Sequence, residues 1–112
     1  MWSGIELLCL PLLAIGGAGF VSAAANLAPA TVARMYTAYT TGDHTTALDL
    51  HYALHPLVDL LFVETNPAPA KWVLHQRGLI ASAHVRPPLI PPTDAGVRRI
   101  EELLAQSKEI AG

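Results

Sequence analysis

The chain has 112 residues, of which 52% are hydrophobic and 14% charged, and its formal net charge is -2. A single small domain exposes much surface, so this composition points to a membrane or to an apolar face covered by another protein segment. The charge offers no basic stripe for nucleic acid, and one cysteine, Cys9, excludes an internal disulfide and suits a reducing cytosol.

The run from Leu7 to Ala33 carries no charge. As a secretory signal it lacks a basic start, because MWSGIEL offers only Glu6 besides the amino terminus, although SAAANLA mimics a cleavage site. As a membrane span it is long enough, but Pro11, Gly16, Gly17, Gly19, Asn26 and Pro29 interrupt it. Each glycine costs a helix interior about 1 kcal/mol relative to alanine. A helix, a strand and a second helix account for these interruptions. IELLCLPLLAI, residues 5–15, reads as a short helix kinked at Pro11, which lacks an N–H, and stopped by Gly16-Gly17. GFVSAA, residues 19–24, has no polar alternation, as expected of a strand covered on both faces. Asn26 to Pro29 then turns the chain, and Pro29 opens the next helix at its first position.

In that helix Val32, Met35, Tyr36 and Tyr39 share a face, and Gly42 closes it. After Asp43 comes an amphipathic helix with Ala47, Leu50, Leu54, Leu57 and Leu61 inward and Asp49, His51, His55 and Asp59 between them. Pro56 kinks it without ending it. Asn66 and Pro67 read as N-cap and first residue of a helix running to about Arg77 and ended by Gly78. RPPLIPP, residues 86–92, is extended by its prolines, and Thr93 or Asp94 caps a last helix carrying Val97, Ile100, Leu103 and Leu104. No internal repeat or low-complexity segment is present.

A strand buried on both faces must pair its N–H and C=O groups with neighbours. The sequence offers no second buried strand, so the partners are expected outside it. These residues therefore read as the end of a longer parallel α/β fold with a helical extension, Met1 being a start within a larger frame. A domain-swapped oligomer is the other way to pair that strand, and a non-catalytic helical interaction module is the alternative from a different functional class.

WSGIE at 2–6, LPLLAIGGAGFVSAAANLAP at 10–29, LFVETNPAPAKWVL at 61–74 and LIPPTDAG at 89–96 resemble the C-terminal part of the dihydrodipicolinate synthase and N-acetylneuraminate lyase family of pyruvate-dependent class I aldolases. The resemblance implies a (β/α)8 TIM barrel with a helical C-terminal domain. Residues 1–41 would be the end of strand seven, helix seven, strand eight and helix eight. Residues 42–112 would be the helical domain, and strands one and seven the missing neighbours. It implies further that a barrel lysine forms a Schiff base with pyruvate and that the enamine attacks an aldehyde. The intact relative would be a cytoplasmic homo-oligomer, most simply a dihydrodipicolinate synthase of lysine biosynthesis, with N-acetylneuraminate lyase or keto-deoxy sugar acid aldolase activity as alternatives.

Residue by residue, Val21 matches the position on strand eight whose backbone borders pyruvate. Gly4 matches a glycine at the end of strand seven lining the same cavity, where the lack of a Cβ permits close approach. Ile5 and Glu6 stand where the family commonly has two aspartates, so no polar contact is carried over to that rim. No catalytic residue is assigned. The only lysines, Lys71 and Lys108, stand at no strand end, and a Schiff-base lysine needs a desolvated pocket.

The remaining constellations carry less. His51, His55 and Asp59 have metal-binding spacing, but Tyr52 replaces the glutamate of HExxH. They read as a solvated helix face, so no metal and no cofactor is assigned. GGAGFVS imitates a dinucleotide loop, with its glycines before the strand instead of after it. Cys9 reads as a buried apolar thiol.

Overall fold

A computed structural model describes residues 1–108. Strand β1 (Trp2–Ser3) leads through a 3-10 turn at Glu6–Leu8 into helix α1 (Cys9–Ala14), and strand β2 (Gly19–Phe20) returns beside β1. The strands are parallel, Trp2 facing Gly19 and Ser3 facing Phe20. The ladder extends at both ends, Ala18 N–H donating to the Met1 carbonyl and Val21 N–H to the Ser3 carbonyl, each at 2.8 Å. Helix α1 is thus the crossover that a parallel pair requires.

Two expectations are corrected here. The strand in GFVSAA covers only Gly19–Phe20, and Ala24–Asn26 is a 3-10 turn. Ser22 explains the early end. Its hydroxyl accepts from Ala25 N–H at 3.1 Å while donating to Glu6 at 3.0 Å, and Glu6 also takes Ala24 N–H, so these two donors are satisfied locally instead of by a neighbouring strand. The second correction is that β2 has one neighbour inside the chain, β1, whose two residues are too few to show any periodicity. The other edge of β2 pairs with nothing among the described residues, and the full coverage expected of Val21 is not supplied by this chain, since that side chain is 72% exposed.

The first helix is also shorter than expected. Its break lies between the 3-10 turn and α1, not at Pro11. Pro11 is the third residue of α1, within the first turn, where backbone N–H groups have no intrahelical acceptor to lose. At the other end Gly16 adopts φ 95°. Gly17 N–H reaches the Leu12 carbonyl at 2.8 Å and Gly16 N–H the Leu13 carbonyl at 3.1 Å, a Schellman cap whose left-handed residue favours glycine. Gly42 and Gly78 end their helices with the same pair of bonds, as expected.

Pro29 is the first residue of α2 (Pro29–Thr40), which buries Val32, Met35 and Ala38. Tyr36 and Tyr39 flank this face instead of filling it. The Tyr36 ring meets Phe20 edge-on at 6.0 Å, and its hydroxyl donates to the Ala18 carbonyl at 3.2 Å. The amphipathic segment after Asp43 is α3 (His44–Ala53) and α4 (His55–Leu61), joined through Leu54, whose backbone remains in the right-handed helical region. The single helix expected here is thus two, divided at Leu54, with Pro56 in the first turn of the second, where its missing N–H costs no helical bond.

Helix α5 (Ala68–Gln76) begins one residue later than expected, and Asn66 caps nothing. The first helical bond runs from Lys71 N–H to the Pro67 carbonyl at 3.0 Å, which makes Pro67 the N-cap, a residue with no side-chain acceptor. RPPLIPP is not extended throughout. Neither Pro87 nor Pro88 has an N–H, so the first available donor, Leu89, reaches back to the Arg86 carbonyl at 3.0 Å and closes a turn. Thr93 caps α6 (Asp94–Gln106), its hydroxyl accepting from Gly96 N–H at 3.0 Å. Glu64, between α4 and α5, accepts from both the N–H (3.1 Å) and the hydroxyl (2.8 Å) of Thr93. A Cβ at Gly96 would overlap that carboxylate.

Helices α4 and α6 pack together, as do α2 and α3. One apolar cluster joins Cys9, Ala24, Leu27, Val32 and Met35 to Leu54, Leu57, Leu60, Leu61, Val73, Ile100 and Leu103. The uncharged run is therefore divided among turn, helix, strand, turn and helix, and among the described residues no helix is long and apolar enough to cross a membrane.

Candidate functional site

In a parallel α/β fold the ligand end is where the strands finish at their carboxyl termini. Both strands here finish on the same side, β1 running into Gly4, Ile5 and Glu6, and β2 into Val21 and Ser22. The structure brings the two expected residues together at this rim. Val21 N–H bonds to the carbonyl of Ser3, the residue before Gly4. Gly4 is exposed, and a Cβ there would meet no atom within 4 Å. Val21 presents its side chain to the open face, alongside Trp2 at 68% and Ile5 at 61% exposure. These are large apolar groups left bare at the edge of a two-stranded ribbon, which by itself is too small to be independently stable.

Glu6 organises the rim. One carboxylate oxygen accepts from Ala24 N–H at 2.7 Å and the other from the Ser22 hydroxyl at 3.0 Å. The acid thus crosses from the end of β1 to the turn after β2 and fixes both backbones. Gly4, Ile5, Glu6, Leu7, Ala23, Val58 and Phe62 line a cavity of about 390 Å³ beside it. Val21 lies outside that cavity. Sequence reasoning set Glu6 aside as a departure from the common aspartates. The available signal was its isolation, since it is the only acid before Asp43, and a carboxylate in an apolar segment requires hydrogen-bonding partners.

Cys9 is 1% exposed and donates its thiol to the Ile5 carbonyl at 3.4 Å. Burial first, and the negative charge of Glu6 second, push the thiol up to about 11 against an opposing hydrogen bond with Ser3. It is a neutral, inert core group at neutral pH. Lys71, on α5, donates to the His84 carbonyl at 2.9 Å, a tether between helix and loop, and Lys108 is exposed beyond α6.

The histidine face departs from expectation. Asp59 is exposed, but His51 and His55 are half-buried, with their Nε2 atoms 3.4 Å apart. Their rings stand edge-on to one another at 4.9 Å and to Tyr52 at 5.4 Å. This aromatic packing, invisible to the hydrophobic period, removes them from free solution. Burial, and then the neighbouring His55, hold the basicity of His51 below the usual histidine range.

Residues 1–107 match the dihydrodipicolinate synthetase family. The 4-hydroxy-tetrahydrodipicolinate synthase of Methanococcoides burtonii is 46% identical over 89 residues, covering 80% of this chain and 30% of that protein. The enzyme of the same name from Methanothrix thermoacetophila is 39% identical over 110 residues, covering 98% of this chain and 37% of that protein. Among solved structures, the 4-hydroxy-tetrahydrodipicolinate synthase of Methylacidiphilum fumariolicum matches with a TM-score of 0.90 at 37% identity, over 96% of this chain and 36% of that one. The chain thus spans about a third of the length of the curated relatives it matches.

Proposed function

This chain belongs to the dihydrodipicolinate synthetase family, and from that membership we propose that it forms the C-terminal part of a pyruvate-dependent synthase of the 4-hydroxy-tetrahydrodipicolinate synthase type. The observation that carries the reading is the parallel β1–β2 pair, whose finishing ends assemble Gly4, Glu6 and Val21 on one rim beside an unpaired strand edge. In this reading residues 1–41 close a TIM barrel and residues 42–112 form the appended helical domain. The other barrel strands would cover Trp2, Ile5 and Val21.

The reaction proposed for the whole enzyme joins pyruvate to an aldehyde in lysine biosynthesis. A lysine amine attacks the pyruvate carbonyl and loses water to give a Schiff base, whose enamine tautomer attacks the aldehyde carbon. That lysine is assigned to a part of the barrel outside this chain. The contribution of this chain is positional. The Val21 backbone borders pyruvate, Gly4 leaves room for its approach, and Glu6 holds both strand ends at a fixed separation through Ser22 and Ala24. The working enzyme is proposed to be a cytoplasmic homo-oligomer.

The test on the chain alone is borohydride reduction in the presence of pyruvate, read by intact-mass and peptide mass spectrometry. The expected result is an unmodified chain. A trapped pyruvate adduct on Lys71 or Lys108 would overturn the assignment.

A further inference from the structure

His51 and His55 sit one turn apart across the α3–α4 junction, and nothing in the proposed reaction uses them. We propose that this pair is a bidentate binding site for zinc(II), held by the two Nε2 atoms with water at the remaining positions.

Two imidazole nitrogens bound to one tetrahedral zinc at about 2.0–2.1 Å lie roughly 3.3–3.4 Å apart. The two Nε2 atoms share a hydrogen bond at 3.4 Å, a separation equal to the bite of the ion, so zinc would take the place of the shared proton. The helical spacing survives the junction because Leu54 keeps its right-handed conformation. The rings are also partly fixed in advance. Each is half-buried, and Tyr52 packs edge-on to both, so little rotamer freedom is lost on binding.

Among the described residues no third histidine, cysteine or acid joins them to make a larger cluster, which leaves the site open. His51 also borders a cleft of about 420 Å³ with Tyr39, His44, Leu48 and Tyr52, providing room for water or another small ligand on the ion. Zinc prefers imidazole nitrogen over carboxylate surfaces, and exposed Asp59 is not required.

Zinc chloride titrated calorimetrically into the full chain at neutral pH is expected to give one saturable site. His51→Ala and His55→Ala should each weaken it by about tenfold or more, because a chelate becomes a single ligand, while Asp59→Asn leaves it unchanged. Histidine-ring 15N NMR on the unsubstituted chain provides a readout that does not depend on variants folding. Zinc should move the Nε2 signals of His51 and His55 while leaving His44, His75 and His84 in place. Absence of a saturable site, unchanged affinity in both alanine variants, or shifts spread evenly over the five histidines would overturn the proposal.

Discussion

Leu57→Ala is expected to destabilise the chain by about 3 kcal/mol, within the roughly 2–5 kcal/mol that burying a leucine-sized void costs. Leu57 is fully buried at 0% exposure. It lies in α4, within the cluster that ties Cys9, Ala24 and Met35 to Val73, Ile100 and Leu103. Those residues come from five different parts of the chain, so no single neighbour can collapse into the void without moving a helix. The loss is a large share of the roughly 5–15 kcal/mol that holds a typical domain folded. Leu48→Ala is the matched control, since that leucine is 44% exposed and should cost about 0.5 kcal/mol or less. Urea unfolding followed by circular dichroism measures both. A Leu57→Ala loss no larger than the Leu48→Ala loss would show that α4 does not organise the core.

Glu6→Ala is expected to cost about 2 kcal/mol and to loosen the rim at the strand ends. The carboxylate receives both Ala24 N–H and the Ser22 hydroxyl; the partly exposed Ser22 hydroxyl can turn to water, so the loss is essentially that of the Ala24 bond, and a hydrogen bond to a charged acceptor contributes about 1.5–3 kcal/mol. Ala24 is itself fully buried, so its N–H would be left without an acceptor. Hydrogen exchange at the Ala24 amide should accelerate in Glu6→Ala. A Glu6→Ala, Ser22→Ala double-mutant cycle should show coupling of about 0.5 kcal/mol or more.

Glu6→Gln gives an independent electrostatic readout. Glu6 is the second cause, after burial, of the raised Cys9 thiol, so removing the charge lowers that value, and the Cys9 Cβ carbon resonance titrates at a lower pH than in the parent chain. The direction follows because a nearby anion disfavours the thiolate. An unchanged Cys9 Cβ titration together with unchanged Ala24 exchange would remove Glu6 from its organising role.

Much of this architecture was legible because it rests on backbone chemistry that a few residue types dictate. Gly16, Gly42 and Gly78 end helices through left-handed backbones, Pro29 starts one, and Thr93 caps another. The uncharged run was correctly divided because its glycines and prolines are incompatible with one long helix. The motifs from WSGIE to LIPPTDAG led to the family that the comparisons show.

What was not legible depended on contacts distant in sequence. The strand in GFVSAA stops early because Ser22 is engaged by Glu6, sixteen residues before it. Periodicity could not find strand β1 because two residues have no period, and only the resemblance put the end of a strand in this part of the chain. Asn66 is an excellent cap by composition, yet the helix begins one residue too late to use it. The same holds for the rim and for the histidine pair. Val21 and Gly4 were named from a resemblance, whereas Glu6 needed the turn after β2 to be in place before its carboxylate had partners. The half-burial of His51 and His55 goes with ring contacts to Tyr52 and to each other, which a hydrophobic period cannot register.

The central claim of the proposal is that β2 is an inner strand of a barrel to which the described residues contribute only β1 and β2. The most direct measurement combines the chain with the part of the Methylacidiphilum fumariolicum synthase that it does not match, followed by borohydride trapping of pyruvate. The account predicts that the two associate and that a pyruvate adduct forms on a lysine of the added segment only when this chain is present. A stable complex that traps no pyruvate, or trapping of equal yield without this chain, would contradict it.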